Sequence, residues 1–197
     1  TAAAGYTHDT LNRALMPTKG GAQRLSILGT LPVGDIDYYK ASLKMQQYFP
    51  LAKDLTFLVE GEVAYGDGYG KTKELPFFEN YFAGGPQSVR GYQPNTLGPR
   101  DSKNLPFGGA SKIAGTAELF FPVPFMEESK TIRLGTFLDA GNVFNRNFDV
   151  GTLKYSTGLS ARWLSPFGAL VFSVAQPINA SGNDKVQRFQ FSFGSGF

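Results

Sequence analysis

Cysteine is absent from the 197 residues, which excludes a disulfide framework and thiolate metal sites. Histidine occurs once, at His8, and a single imidazole cannot make a usual zinc site. Long apolar runs are missing too: nothing approaches the ~18 consecutive apolar residues of a membrane-spanning helix. Mean hydropathy is −0.18, so the chain is not an α-helical membrane protein. That test is blind to membrane barrels, whose strands alternate apolar and polar residues. Charge of one sign is also lacking. Nineteen basic residues face 16 acidic ones, for a net +3. No basic run interleaves with aromatics, which argues against a nucleic-acid partner. The opening Thr1-Ala2-Ala3-Ala4 has neither the basic nor the apolar region of a signal peptide, as expected of a mature or truncated chain.

What is present is 18 Phe, 9 Tyr and 24 Gly, a mixture that favours β structure. The clearest strand is the last. Phe189, Phe191, Phe193 and Phe197 share one parity, and Gln190, Ser192, Gly194 and Gly196 share the other. A period of two puts the aromatics on one face. The same alternation recurs. Leu153, Tyr155, Leu159 and Trp163 alternate with Lys154, Ser156, Ser160 and Arg162; Ile132, Leu134 and Leu138 with Arg133, Phe137 and Asp139; Ile113, Leu119 and Phe121 with Lys112, Thr116 and Glu118. Segments 54–67 and 37–48 read the same way, 22–31 and 169–177 are shorter versions, and 2–10 is the weakest. The pattern predicts about nine antiparallel strands of roughly ten residues, the length of a tilted membrane strand rather than of a soluble sandwich. The expected fold is all-β, a transmembrane barrel with one face to lipid and one to a polar lumen.

The connections support an orientation. Short turns are expected at 49–53 and 164–168, with 122–130 moderately short; 68–109, 142–151 and 178–186 are long. Short periplasmic turns and longer outer loops are the rule in such barrels. Two segments fit less well: 11–21 is long for a periplasmic turn and 32–36 short for an outer loop.

Gly70-Lys71-Thr72 resembles the end of a phosphate-binding loop, but the glycine required five residues earlier is Tyr65, and no helix start follows. A plain surface loop accounts for it. His8 beside Asp9 lacks a Gly-x-Ser-x-Gly nucleophile elbow and reads as a structural polar residue near a strand end. The connection 68–109 is different. Loops of this length are functional or disordered, and this one is not low in complexity. It centres on Gly84-Gly85-Pro86-Gln87-Ser88-Val89-Arg90-Gly91-Tyr92, among aromatics. If buried there, Arg90 needs a carboxylate. Glu118 and Asp139 lie on the lumen parity of the next two strands. A loop folded back into the lumen with Arg90 paired to one or both, and a solvated Arg90 on a mobile loop, are both open at this point.

Val89-Arg90-Gly91-Tyr92 resembles the signature loop motif of the outer-membrane assembly superfamily. Further resemblance to its BamA-type insertases lies in 76–85, 95–99, Phe137-Leu138-Asp139-Ala140-Gly141, 163–168 and the ending Gln190-Phe191-Ser192-Phe193-Gly194. The likeness covers nearly the whole chain. It implies the C-terminal portion of a sixteen-stranded barrel without its POTRA domains, 68–109 entering the lumen, and Arg90 contacting Glu118 and Asp139. It also implies a lateral seam along the last strand (Phe189, Phe191, Phe193, Gly194, Phe197), with Gly194 at a kink. The implied activity is insertion of β-barrel clients into the outer membrane of a Gram-negative cell. Unfolded clients, accessory lipoproteins and the bilayer are the implied partners, and no cofactor, metal or catalysis is involved. Two-partner secretion translocators and TamA-like factors share the motif and are the alternative. A lipase- or protease-type barrel would need a nucleophile and base. A passive porin would not explain Arg90, Glu118 and Asp139 together. Nine strands are odd where bacterial single-chain barrels are even, so either a fragment, whose open edges lipid does not tolerate, or a first strand that is not one is expected.

Overall fold

The computed structural model describes residues 1–31, 34–123, 131–166 and 168–193. Among the described residues eleven strands follow one another: β1 (Ala2–Asp9), β2 (Gly20–Gly29), β3 (Tyr38–Ala52), β4 (Leu55–Gly68), β5 (Gly91–Tyr92), β6 (Ser111–Pro122), β7 (Ile132–Phe144), β8 (Lys154–Ser165), β9 (Gly168–Pro177), β10 (Val186–Gln187) and β11 (Phe189–Phe193). Nine form one sheet in the order β1-β2-β3-β4-β6-β7-β8-β9-β11, and β5 pairs with β10 in a separate ribbon. Every pairing is antiparallel. Among the described residues β1 and β11 are hydrogen-bonded on one side only, so the sheet is open.

The sheet is polar inside and apolar outside. Leu43, Val63, Leu138, Leu159, Val174 and Phe191 are exposed, whereas Gln46, Glu118, Asp139, Ser156, Ser160 and Gln190 are buried. A soluble protein buries the first set. Only lipid makes the exposed face favourable, and the alternation read from the sequence is the signature of that arrangement.

Three expectations change at strand ends. Residues 49–52 are not a turn: β3 continues to Ala52, and Lys53-Asp54 alone connects it to β4. Pro50 misled the reading. It is tolerated because the β3–β4 register shifts between Pro50 and Ala52, and because β2 pairs with β3 only as far as Tyr48. Asp54 takes φ 63°, a region that Asp enters more readily than most residues. Likewise β7 extends to Phe144, which removes 142–144 from the predicted loop. Of the predicted turn 164–168, Leu164 and Ser165 belong to β8, and Gly168 opens β9.

Segment 10–19, too long for a simple turn, is explained by where it goes. Leu11 packs on the lumen-facing cluster of Tyr48, Leu58 and Phe120, and Arg133 Nη1 donates to the Pro17 carbonyl at 2.9 Å. It lies across the short-turn end of the lumen. The other ill-fitting segment, 32–36, includes Pro32 and Val33, and 122–130 includes 124–130; these lie outside the described residues, as do Gly194 and Phe197 of the terminal strand.

Candidate functional site

The loop joining β4 to β6 folds back against the lumen face of the sheet. Its first half is tied to β3. Glu79, in a short 3₁₀ turn (Phe77–Glu79), accepts from Tyr38 Oη at 2.9 Å and Lys40 Nζ at 3.0 Å. Burial pushes the Glu79 carboxyl up, but the hydrogen bonds from Lys40 and Tyr38 outweigh it, leaving Glu79 below its ordinary value. Deeper in, Val89 and Tyr92 join Ala83, Leu97 and Val143 in a buried apolar cluster. Burial, followed by the charge of Asp184, raises the Tyr92 hydroxyl to about 12.

Arg90 lies between these apolar neighbours and the wall. Its Nε and Nη2 donate to the two carboxylate oxygens of Asp139 at 2.8 and 2.7 Å, a planar fork on a planar acceptor. Its backbone N–H donates to Asp139 Oδ2 at 3.0 Å, and Nη1 reaches Glu118 Oε1 at 3.2 Å. The Arg90 side chain is 6% exposed and both carboxylates 0%. Burial alone would lower the guanidinium's pKa; the bonds to Asp139 and the charge of Glu118 more than reverse this, so Arg90 stays cationic.

The structure therefore brings Val89, Arg90, Gly91, Tyr92, Glu118 and Asp139 together. It also adds residues not singled out before. The Arg90 guanidinium carbon sits 3.4 Å from the centroid of the Phe137 ring, in stacking position. Thr116 Oγ1 donates to Asp139 Oδ1 at 3.0 Å. Ser160 Oγ donates to Glu118, and Arg162 Nη2 donates to Glu118 Oε2 at 2.9 Å. Two cations and two carboxylates thus form a neutral cluster, the condition under which buried charge is tolerable. Each added residue is on the predicted lumen parity; only the strand register shows that they meet. That register aligns Thr116 with Asp139 and Ser156, and Glu118 with Phe137 and Gly158. It also aligns Phe120, Gly135, Ser160, Ser173 and Gln190 in one row.

Small residues in these rows make room for the loop. Gly91 has φ 89°, and a Cβ there would come within 3.1 Å of Ala175 and 3.2 Å of Pro177. Glycine meets both demands, an unusual backbone angle and close approach to the wall.

The remaining sequence candidates stay apart. His8 is on exposed β1. Gly70-Lys71-Thr72 wraps Asp37: Lys71 N donates to Asp37 Oδ2 at 3.3 Å and Asp37 N donates to Thr72 Oγ1 at 2.8 Å. An aspartate occupies the turn where a phosphate would need to sit. Among the described residues no group of three or more His, Asp or Glu could hold a metal. Phe189, Phe191 and Phe193 are exposed on the outer face of β11.

A sheet with an apolar exterior, a polar interior and a loop latched inside it defines an outer-membrane β-barrel protein. Residues 1–197 match the Omp85 superfamily domain, and the chain belongs to that family. It is 36% identical to the outer membrane protein assembly factor BamA of Neisseria meningitidis serogroup B, over 98% of this chain and 28% of that protein. It is 28% identical to the mouse sorting and assembly machinery component 50 homolog, over 90% of this chain and 41% of that one. The structure resembles that of BamA from Haemophilus ducreyi lacking POTRA domains 1–3, with a TM-score of 0.89 and 30% identity, covering 96% of this chain and 41% of that one. The chain thus spans well under half the length of these relatives.

Proposed function

We propose that this chain is the C-terminal barrel portion of an assembly factor that folds and inserts β-barrel clients into the outer membrane. The carrying observation is the full-length match to the Omp85 domain together with 36% identity to a protein named as an assembly factor. The nine strands of the sheet would belong to a sixteen-stranded barrel. In this reading the action is mechanical: the charged groups around Arg90 hold the loop against the wall, as a scaffold requires. Clients add at the outer edge of β11 when the seam there opens, its backbone groups then being a template for strand addition. Accessory lipoproteins are the expected partners of the full-length protein.

The test is reconstitution of the full-length parent protein in phospholipid vesicles with a urea-unfolded barrel client. Folded client, read as heat-modifiable gel mobility, is expected to accumulate faster than with empty vesicles. Equal rates would remove the proposal.

A further inference from the structure

The terminal strand joins the wall only at Phe189, and its start has a visible reason. β11 pairs with β9 from Phe189↔Val174 to Phe193↔Leu170, and Ala175 N adds one bond to the Arg188 carbonyl at 2.8 Å. Immediately before Arg188 the chain leaves the wall and pairs with the loop instead: Val186 lies opposite Tyr92, Gln187 opposite Gly91, and Gln93 N donates to the Lys185 carbonyl at 2.8 Å. The residues of this ribbon on the loop side are those next to Arg90.

A second tie reaches β11 itself. Gln190, 1% exposed, points into the lumen from the middle of β11, and its Nε2 donates to the Tyr92 carbonyl at 2.6 Å, across 98 residues of chain. Its Oε1 is buried with no hydrogen-bond partner, so this one bond is what the buried amide has. Ser160 and Ser173, beside it in the same row, are too short to take the loop's place. The loop therefore grips β11 by one lumen-facing side chain and by the segment above it. It leaves the outer edge of the strand without a partner among the described residues, and leaves Phe189, Phe191 and Phe193 exposed.

We infer that Gln190 is a positioning residue: through it the Arg90-latched loop holds β11 extended and ordered at the seam. A strand ordered beforehand loses less conformational entropy when another strand adds to it. The inference rests on the proposed function, because it assigns a role to the edge where clients would add. It also states a physical coupling, between latch and seam, that can be measured without a client.

The experiment is hydrogen exchange by mass spectrometry on the full-length parent in lipid nanodiscs, comparing wild type, Gln190→Leu, Gln190→Met and Arg90→Lys. Loss of one net hydrogen bond is expected to speed exchange of peptides spanning 186–193 roughly fivefold. Exchange in β3 and β4 should be unchanged. Gln190→Met keeps the side chain's length and should act as Gln190→Leu does. Arg90→Lys leaves Gln190 intact and should still loosen 186–193, because the latch holds the loop that holds the strand. Unchanged exchange at 186–193 in the Gln190 variants, or in Arg90→Lys, overturns the coupling. The vesicle assay is run on the same proteins. Client insertion by wild type with no exchange response would sink the inference alone. An exchange response without client insertion by wild type would sink the functional reading and leave the coupling standing.

Discussion

Two sets of ion pairs share this lumen and differ in what surrounds them. Arg90, Glu118 and Asp139 are sealed beneath the loop, with side-chain exposures of 6%, 0% and 0%. Across β3, β4 and β6 runs a wetter ladder: Lys44 to Glu60 at 3.3 Å and Lys112 to Glu62 at 2.9 Å, with side chains 12–31% exposed. Arg90 aside, which lies on the loop, both sets look alike in sequence, as charges on lumen parity. Their energetics differ because desolvation, not distance, decides how much a broken pair costs. The sealed set fixes the loop in one place; the ladder lines a wet wall.

Breaking the sealed set should have the largest effect. Arg90→Ala leaves two buried carboxylates with only Thr116, Ser160 and Arg162 to balance them, and should cost about 3–5 kcal/mol locally. Limited proteolysis of the full-length protein should show the 68–109 loop newly cleavable, and client insertion should fall. A loop that stays protected would mean that the apolar cluster of Val89 and Tyr92 holds it alone. Arg90→Lys keeps the charge but loses the fork on Asp139 and the stacking on Phe137, so it should fall between wild type and Arg90→Ala.

A subtler break leaves every charge in place. A Cβ on Gly135 would lie 2.6 Å from Ser160 Oγ and 2.9 Å from Glu118 Oε1. Gly135→Ala must therefore shift Ser160 and Glu118, which are hydrogen-bonded to each other. Overpacking of this kind costs about 1–3 kcal/mol, readable as a lower urea midpoint with an unchanged m-value.

The contrast between the two sets also marks what could be read from the sequence. Alternation gave the strands and their faces, because a period of two survives whatever the fold does with the strand. It put Glu118, Asp139, Phe137, Ser160, Arg162 and Gln190 on the lumen side. It could not say which of them meet, since that depends on register across several strands, and register is set by turns and bulges. Pro50 shows the difficulty. It reads as a turn and is accommodated by a register shift inside β3. Arg90 at the loop's centre was legible from physics as a cation in need of a carboxylate; its pairing with both Glu118 and Asp139 came from resemblance. The tie between Gln190 and Tyr92 was legible from neither, because no local pattern links residues 98 apart.

The ladder should respond weakly. Lys44→Gln or Glu60→Gln is expected to change stability by about 0.2–1 kcal/mol, because both groups keep contact with water. Raising salt should shrink the difference between variant and wild type, while Arg90→Ala should keep its deficit, since buried pairs are screened far less. Thermal melts at low and high ionic strength separate the two. A Lys44 variant with a large, salt-insensitive deficit would erase the distinction between the sets.

The smallest effect sharpens the comparison at its boundary, where the loop leaves the wet wall. Glu79 is held by Tyr38 and Lys40 with its side chain 28% exposed, and its carboxyl lies below its ordinary value. A carboxyl lowered on folding stabilises the fold above its unfolded pKa, and that contribution is lost as pH falls through the folded one. The window therefore lies below about pH 4. Exchange of 77–81 should quicken as pH is lowered through it, after correction for the intrinsic rate, and Glu79→Gln should show less of this pH dependence. Peptides around Arg90, whose partners are buried in the neutral cluster, should lag behind 77–81 over the same range. Simultaneous loosening of both would mean that the outer anchor and the inner latch are one cooperative unit.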